Sequence, residues 1–185
     1  MGVWNYGDIM DAVAKVVPAA APALIHGDKT TTWLEFHGRT NALARGLMTA
    51  GHQPDDKLAI LIRNCPEYME ATIAAFKGRF VHVNVNYRYK AEELHYIFDN
   101  ADARVVVYGS EFAPIVASIR DRLPGVKTWL QVNVDDTPRP TFAQDYEAFV
   151  AAHGSGELEI ERSPDDLFFL YTGGTTGMQI GRAHV

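Results

Sequence analysis

The amino-acid sequence predicts an α/β fold, with a mostly parallel sheet flanked by helices. Short apolar runs typical of buried strands alternate along the chain with longer segments of helical periodicity. The 185 residues are 47% hydrophobic and 22% charged, a composition typical of a globular protein. Right-handed crossovers between such strands make them parallel and bring ligand sites to their carboxyl ends.

Two helices carry clear start and stop signals. Thr32 and Glu35 have the spacing of a capping box, and Gly51 ends the segment that follows. Apolar residues recur within it at helical spacing, namely Trp33, Phe36, Leu43 and Leu47. For the second helix, Asn64 is the predicted cap, with Pro66 in the first turn and Gly78 just past the end.

The remaining elements continue the alternation. Strands are predicted over residues 57–62, 80–85, 104–108, 128–132 and 166–171, and helices over 91–99, 112–123 and 142–152. In the helix over 91–99, Leu94, Ile97 and Phe98 are expected to face the core. The segment 132–162 is more polar and is interpreted as a surface excursion, not as a domain boundary.

A glycine- and threonine-rich segment follows the last predicted strand. Its glycines permit positive φ and close backbone approach, so that successive N–H groups can converge on phosphate oxygens, and its threonines add hydroxyl donors. The predicted phosphate-binding residues are Thr172, Gly173, Gly174, Thr175, Thr176 and Gly177. The spacing matches neither G-x-x-x-x-G-K-[ST] nor G-x-G-x-x-G. A flexible turn explains such a segment equally well when it is considered alone.

The full string from Tyr171 to Met178 resembles the signature [YF]-T-[SG]-G-[ST]-T-G-x-P-K-G of the adenylate-forming superfamily. The resemblance extends upstream, to His26-Gly-Asp28, to Asn64-Cys-Pro-Glu-Tyr68 and to Val83-Asn-Val-Asn-Tyr-Arg-Tyr89. The last of these is similar in particular to the fatty-acyl-CoA synthetase branch. The match covers nearly everything from Trp4 to Met178.

The resemblance implies the N-terminal subdomain of the adenylate-forming fold, truncated, and an AMP-forming acyl-CoA ligase as the intact protein. Such an enzyme activates a carboxylic or fatty acid with ATP to acyl-AMP and transfers the acyl group to coenzyme A. The predicted loop would hold the β- and γ-phosphates, with Mg²⁺ bridging them. The family's catalytic glutamate, aspartate and lysine lie downstream, so no catalytic or metal-ligating residue is assigned, and the 185-residue polypeptide alone is expected to be inactive.

Two alternatives stay open. An adenylation domain that loads a carrier protein, or an aryl-CoA ligase, would share the same loop. A truncated nucleotide-binding module without catalysis would retain the fold but not the turnover. Arg88 is interpreted as part of a surface or structural ion pair in preference to a ligand contact.

The end of the chain departs from the family pattern. Where the signature continues with Pro-Lys-Gly, this chain has Gln179-Ile-Gly181 followed by Arg182-Ala-His-Val185. Ile180 to Val185 is the translation of ATCGGAAGAGCACACGTC, a stretch of a common short-read sequencing adapter. We therefore interpret residues 1–178 as the N-terminal part of the AMP-binding domain and residues 179–185 as a non-native tail.

Composition excludes several other function classes. The net charge of −6 and the lack of basic runs argue against nucleic acid as a partner. One cysteine, Cys65, excludes an internal disulfide, and the seven histidines show no H-x-x-x-H or H-E-x-x-H spacing. The apolar segment from Val16 to Ile25 is broken by two prolines and is too short to span a bilayer. The expectation is a cytoplasmic enzyme without a transmembrane segment, for which peripheral membrane contact stays open.

Overall fold

The computed structural model describes residues 4–174 and 177–184. Its strands are β1 (Pro22–His26), β2 (Lys29–Thr32), β3 (Lys57–Leu61), β4 (Val81–Asn84), β5 (Ala103–Gly109), β6 (Thr128–Val132), β7 (Gln144–Asp145), β8 (Leu167–Gly174) and β9 (Gly177–His184). Strands β1 and β2 form a separate antiparallel hairpin, and the other seven form one sheet in the order β7-β6-β5-β3-β4-β8-β9. The first six strands in that order run parallel to one another, and the last, β9, is antiparallel to β8. The predicted α/β class with a mostly parallel sheet is confirmed.

Helices cover both faces of the sheet. They are α1 (Tyr6–Val16), α2 (Trp33–Thr49), α3 (Pro66–Lys77), α4 (Ala91–Asn100), α5 (Ala113–Ile119) and α6 (Tyr146–Ala151). Side chains of α2, α3 and α6 pack in one core with Leu58, Ile60 and Val105 of the sheet, while α4 and α5 pack in a second core with Ala59, Leu61 and Val106. Because successive residues of a strand point to opposite faces, apolar runs at these strands supply both cores.

Helix α2 begins as its sequence predicts. The Thr32 hydroxyl accepts a hydrogen bond from the Glu35 backbone N–H at 3.2 Å, and a Glu35 carboxylate oxygen accepts one from the Thr32 backbone N–H at 2.8 Å. Two of the first unpaired N–H groups of the helix are thereby satisfied. The capping box is confirmed.

Several element boundaries differ from the prediction. The N-cap of α3 is Cys65, not Asn64, and its side chain makes no cap hydrogen bond; Pro66 at the first position sets the helical φ instead. The helix predicted over 112–123 is shorter, because 3-10 turns at Ser110–Phe112 and Arg120–Arg122 flank α5. The helix predicted over 142–152 begins only at Tyr146, where the Asp145 side chain accepts from the Ala148 N–H, and a short strand precedes it.

The chain connects the two sides of the sheet through residues 152–166, which contain no helix or strand. This segment starts after α6, near β7, and ends at β8 on the far side of β4. Arg45 of α2 donates to the carbonyl oxygens of Gly154, Gly156 and Glu157 along it. The segment is therefore held by side-chain hydrogen bonds from the helical layer.

Candidate functional site

The carboxyl ends of the parallel strands lie along one edge of the sheet. The chain passes from β3 to β4 on one side of β3 and returns to β5 on the other side. Helix α3, which follows β3, packs on one face of the sheet, and α5, which follows β5, packs on the other face. This reversal of strand order is a topological switch point, where open α/β sheets form a ligand crevice.

The described members of the predicted phosphate-binding segment lie at the same edge, two strands from the switch point. Thr172, Gly173 and Gly174 form the end of β8, which continues three residues beyond the predicted strand end at Tyr171. Gly177 starts β9 and pairs with Gly174, and Gly173 pairs with Met178. Thr175 and Thr176 lie outside the described residues. Residues 179–184, interpreted above as tail, belong to β9.

Two cations and an aromatic ring occupy the edge between β3 and β4. The Arg63 guanidinium lies 5.4 Å from the centre of the Tyr87 ring, and the Arg88 guanidinium lies 5.7 Å from it. Arg88 was expected in an ion pair, whereas in the structure its guanidinium lies over this aromatic ring. Arg63 also lies 3.8 Å from a Glu111 oxygen, which offsets part of its charge, so Arg88 is the more available of these two exposed guanidinium groups for a phosphate group.

A crevice of about 360 Å³ lies at the switch point itself. Its lining comes from the ends of β3, β5 and β6 and from β1, and comprises His26, Arg63, Asn64, Cys65, Glu111, Val134 and Asp135. Burial, with a smaller contribution from the negative charge of Asp135, raises the pKa of the Glu111 carboxyl. Burial also raises the pKa of the Cys65 thiol to about 12, so this cysteine is a poor nucleophile near neutral pH.

A larger cleft, of about 620 Å³, lies elsewhere, among the β1–β2 hairpin, α2 and α3. Lys29, Arg39 and Glu70 are among its lining residues. The cleft is lined by helices and by the hairpin and not by the carboxyl ends of the parallel strands. The topology therefore favours the carboxyl edge as the functional site.

Sequence spacing gave no sign of one titratable cluster that the fold creates. Asp11 of α1, His37 of α2 and Glu157 of the 152–166 segment have ligand atoms within 4.8 Å of one another. However, the Lys77 ammonium lies 2.9 Å from an Asp11 oxygen and 3.0 Å from His37 Nδ1, where a metal ion would have to sit. Burial and the Lys77 charge both lower the pKa of His37. The cluster is an internally neutralised ion network that joins α1, α2 and α3.

The chain matches the protein family described as AMP-binding enzyme over residues 10–181, and it belongs to that family. It is 39% identical over 178 residues to 3-oxocholest-4-en-26-oate--CoA ligase of Rhodococcus rhodochrous, covering 94% of this chain and 31% of that protein. It is 37% identical over 188 residues to medium-chain acyl-CoA ligase Mig of Mycobacterium avium, covering 92% of this chain and 34% of that protein. The chain thus spans about a third of the length of these curated relatives.

Solved structures agree with the fold. The fatty acyl CoA synthetase of Mycobacterium tuberculosis superposes with a TM-score of 0.82 at 25% identity, covering 97% of this chain and 34% of that chain. An anthranilate CoA ligase superposes with a TM-score of 0.89 at 21% identity, covering 98% and 35%, which shows the shared fold alone. The expected N-terminal subdomain of the adenylate-forming fold is confirmed. Within the described residues, no helix has the length and apolarity needed to cross a membrane.

Proposed function

We propose that the protein to which this chain belongs is an AMP-forming acyl-CoA ligase. The observation that carries the proposal is the family membership together with the position of Thr172–Gly174 at the carboxyl end of β8. Curated relatives at 39% and 37% identity are CoA ligases by name. The edge that holds the end of β8 also carries the Arg63 and Arg88 cations, which suits polyphosphate ligands such as ATP and coenzyme A.

The reaction has two steps. In the first, a carboxylate oxygen of the acid attacks the α-phosphorus of ATP, the bond from that phosphorus to the bridging oxygen breaks, and pyrophosphate leaves. In the second, the sulfur of coenzyme A attacks the acyl carbonyl carbon, the thiol proton is lost, and AMP leaves with the anhydride oxygen. Adenylation converts a poor leaving group on the acid into a good one.

In this proposal, residues Thr172, Gly173, Gly174, Thr175, Thr176 and Gly177 bind the β- and γ-phosphates. ATP would enter as its magnesium complex, in which the ion would neutralise part of the phosphate charge. Backbone N–H groups at the end of β8 would stabilise the negative charge that develops on departing pyrophosphate. Glycines suit this role because a side chain would keep the phosphate away from the backbone. The contribution of the loop is positioning and electrostatics, without proton transfer.

The acid is proposed to be a fatty acid or another large apolar carboxylic acid. The name of the first relative refers to a steroid acid and that of the second to medium-chain acyl groups. A single cysteine in 185 residues and the use of ATP and coenzyme A suit the cytoplasm, where we place the enzyme. Peripheral contact with a membrane would give access to poorly soluble acids.

We also propose that residues 1–178 are native and that residues 179–185 are not. The support is the departure from Pro-Lys-Gly and the agreement of Ile180 to Val185 with a translated adapter. Sequencing the source DNA past the Met178 codon tests this proposal. Pro-Lys-Gly and a long open reading frame are the expected result, and a native codon series for Gln179 to Val185 followed by a stop contradicts it.

The functional experiment uses both the 185-residue chain and the product of the complete reading frame. With ATP, Mg²⁺, coenzyme A and a panel of fatty and steroid acids, the complete product is expected to form AMP and acyl-CoA, and the short chain is expected to release no pyrophosphate. Gly174→Val in the complete product should lower kcat at least about 100-fold, because the branched side chain obstructs phosphate approach. Glu92→Gln, an exposed change on α4, is the matched control. Formation of ADP in place of AMP, or full activity of Gly174→Val, would contradict the proposal.

The same panel separates the alternatives. Products formed only with aromatic acids would favour an aryl-CoA ligase, and acyl-AMP formation without transfer to coenzyme A would favour a domain that loads a carrier protein. Nucleotide binding without any AMP formation would favour a non-catalytic module.

A further inference from the structure

Asp166, the residue just before β8, accepts hydrogen bonds at its carboxylate from three different residues. Asp166 accepts from Arg79 Nε at 3.0 Å and from Arg79 Nη2 at 2.9 Å. It also accepts from Asn5 Nδ2 at 2.8 Å and from the Ser163 backbone N–H at 3.2 Å. The Asp166 side chain is only 8% exposed. Asn5, Arg79 and Asp166 are called the Asp166 clamp below.

The Asp166 clamp is attached to the ends of two helices. Asn5 is the N-cap of α1 and accepts from the Asp8 N–H at 3.1 Å, and its Nδ2 also donates to the Phe76 carbonyl near the end of α3 at 3.1 Å. Arg79 follows Gly78, the C-cap of α3, and has a positive φ of 61°. Asn5 is completely buried. The start of β8 is therefore tied to a rigid part of the fold through charge-assisted hydrogen bonds.

Hydrophobic pattern does not determine the register of β8. The strand begins Leu-Phe-Phe-Leu-Tyr, so apolar residues face both sides. Leu167 and Phe169 pack in the core of α4 and α5, whereas Phe168 packs on the opposite side with residues of α1, α2 and α3. A slip of one residue exchanges these faces yet leaves apolar side chains on both. The hydrophobic pattern of β8 therefore distinguishes the two registers less sharply than a polar-apolar alternation would.

Besides the packing of Phe169 and a hydrogen bond from the Tyr171 hydroxyl to Asn100 of α4 at 3.0 Å, the backbone pairing that holds this register is short. The pairing of β8 with β4 extends over three residue pairs, from His82 with Phe168 to Asn84 with Leu170. The preceding residues 152–166 belong to no helix or strand. A buried polar interaction at a single position is an established way to select one register among several. Asp166 is adjacent to the strand and is placed to do so.

We infer that the Asp166 clamp sets the register of β8 against β4 and thereby positions Thr172–Gly174. The inference deepens the proposed function and rests on it, since the position of these residues matters for phosphate binding. A slip of one residue moves the strand by about 3.3 Å. A misplacement of about 1 Å is enough to cost about 100-fold in rate at a reacting centre. Asp166 and its partners are positioning residues, remote from the nucleotide.

Cross-linking in the absence of nucleotide tests the register. In a Cys65→Ser background, Asn84→Cys with Leu170→Cys joins residues that are opposite in the described register. Asn84→Cys with Tyr171→Cys joins residues that come opposite after a slip of one residue. Adding Asp166→Asn, which keeps the size but removes the charge, is expected to lower the first disulfide yield and to raise the second.

A variant in the same segment controls for lost stability. Arg162 is also buried, at 4% exposure, but its ion pairs are with Asp8 and Asp11 of α1, and its Nε donates to the Lys77 carbonyl of α3. Arg162→Gln, compared at equal folded fraction by circular dichroism, is expected to keep the native disulfide. Arg79→Gln is the substitute if Asp166→Asn does not fold. An unchanged native yield in the clamp variant, or an equal loss in Arg162→Gln, overturns the inference.

Nucleotide binding is measured separately on the product of the complete reading frame, with and without Asp166→Asn. Titration with MgATP, read from the backbone amide signals of Gly173 and Gly174, should give a dissociation constant at least about tenfold higher in Asp166→Asn than without it. Failure of the complete product with native Asp166 to bind MgATP contradicts the proposed phosphate role but does not affect the cross-linking result. Equal affinity in the two proteins overturns the positioning role.

Discussion

The buried ion network around Glu70 allows a quantitative prediction about stability. Arg39 of α2 donates to the Glu70 carboxylate through Nε at 2.6 Å and through Nη2 at 2.9 Å, and the Tyr146 hydroxyl of α6 donates to it at 3.0 Å. Glu70 is 2% exposed, and Tyr146 is fully buried. Burial and the neighbouring Glu70 charge raise the pKa of Tyr146, so the phenol stays protonated as a donor. The network connects α2, α3 and α6 across one face of the sheet.

Arg39→Met removes the positive partner while keeping an apolar stem of similar length. Glu70 then retains Tyr146 as its only partner among the contacts above and remains a buried charge. Breaking a buried ion pair in this way costs about 3–5 kcal/mol of unfolding free energy. Domains of this kind have about 5–15 kcal/mol in total, so the variant should be folded but much weakened.

Urea denaturation of a double-mutant cycle gives the measurement. At a slope of about 2 kcal/mol per molar, the Arg39→Met midpoint should fall by about 2 M urea. Glu70→Met alone should also be destabilising, because Arg39 loses both hydrogen bonds to Glu70, while the double variant should recover a large part of the loss. Arg122→Met, which breaks an exposed pair with Glu92, should leave the midpoint nearly unchanged.

Two results would refute this reasoning. A midpoint for Arg39→Met within error of the parent would mean that the Glu70 charge is solvated or neutralised in the folded state. Additive losses in the double variant would mean that the two side chains act independently of each other, which the 2.6 Å contact between them argues against.

Three further predictions concern single positions. Gly46→Ala should cost about 1–3 kcal/mol, because the added Cβ would lie 2.6 Å from the Phe149 ring; a denaturation midpoint equal to that of the parent would be inconsistent with this packing. Burial lowers the pKa of His82 to about 4. The unfolding free energy should therefore be highest above pH 6.5 and fall by about 3 kcal/mol as pH decreases to about 4, because the unfolded state binds the proton first. His82→Leu should remove that pH dependence in thermal melts, and its persistence would argue against His82 as the source. Cys65, with its raised thiol pKa, should react with iodoacetamide far more slowly at pH 8 than a free thiol does, and comparable rates would show that the site is more open than described.

Local sequence signals predicted most of the central elements. The capping box at Thr32 and Glu35, the apolar run of β6 over Thr128–Val132 and the inward face of α4 all agree with the structure. Each depends on interactions between residues close in the chain, or on the simple exclusion of apolar side chains from water. These features are therefore visible without knowledge of the fold.

The elements that were missed depend on distant contacts. Helix α1 was not predicted, although its capping box at Asn5 and Asp8 is visible in the sequence; its buried face lies against α3 and contributes Met10 to a small core. The two-residue strand β7 exists only because β6 lies beside it. Short elements of this kind gain their stability from the partner and carry little periodicity of their own.

Family membership and the α/β class could both be read from the chain, because each is encoded in contiguous residues, and the phosphate-binding role of residues 172–177 stays a prediction. The order of the strands, the switch point between β3 and β5 and the neutralisation of Asp11 by Lys77 could not, because these depend on which segments meet in space. The Asp166 clamp could not be predicted for the same reason. Asn5, Arg79 and Asp166 are far apart in sequence, and their hydrogen bonds to one another form only when α1, α3 and β8 come together.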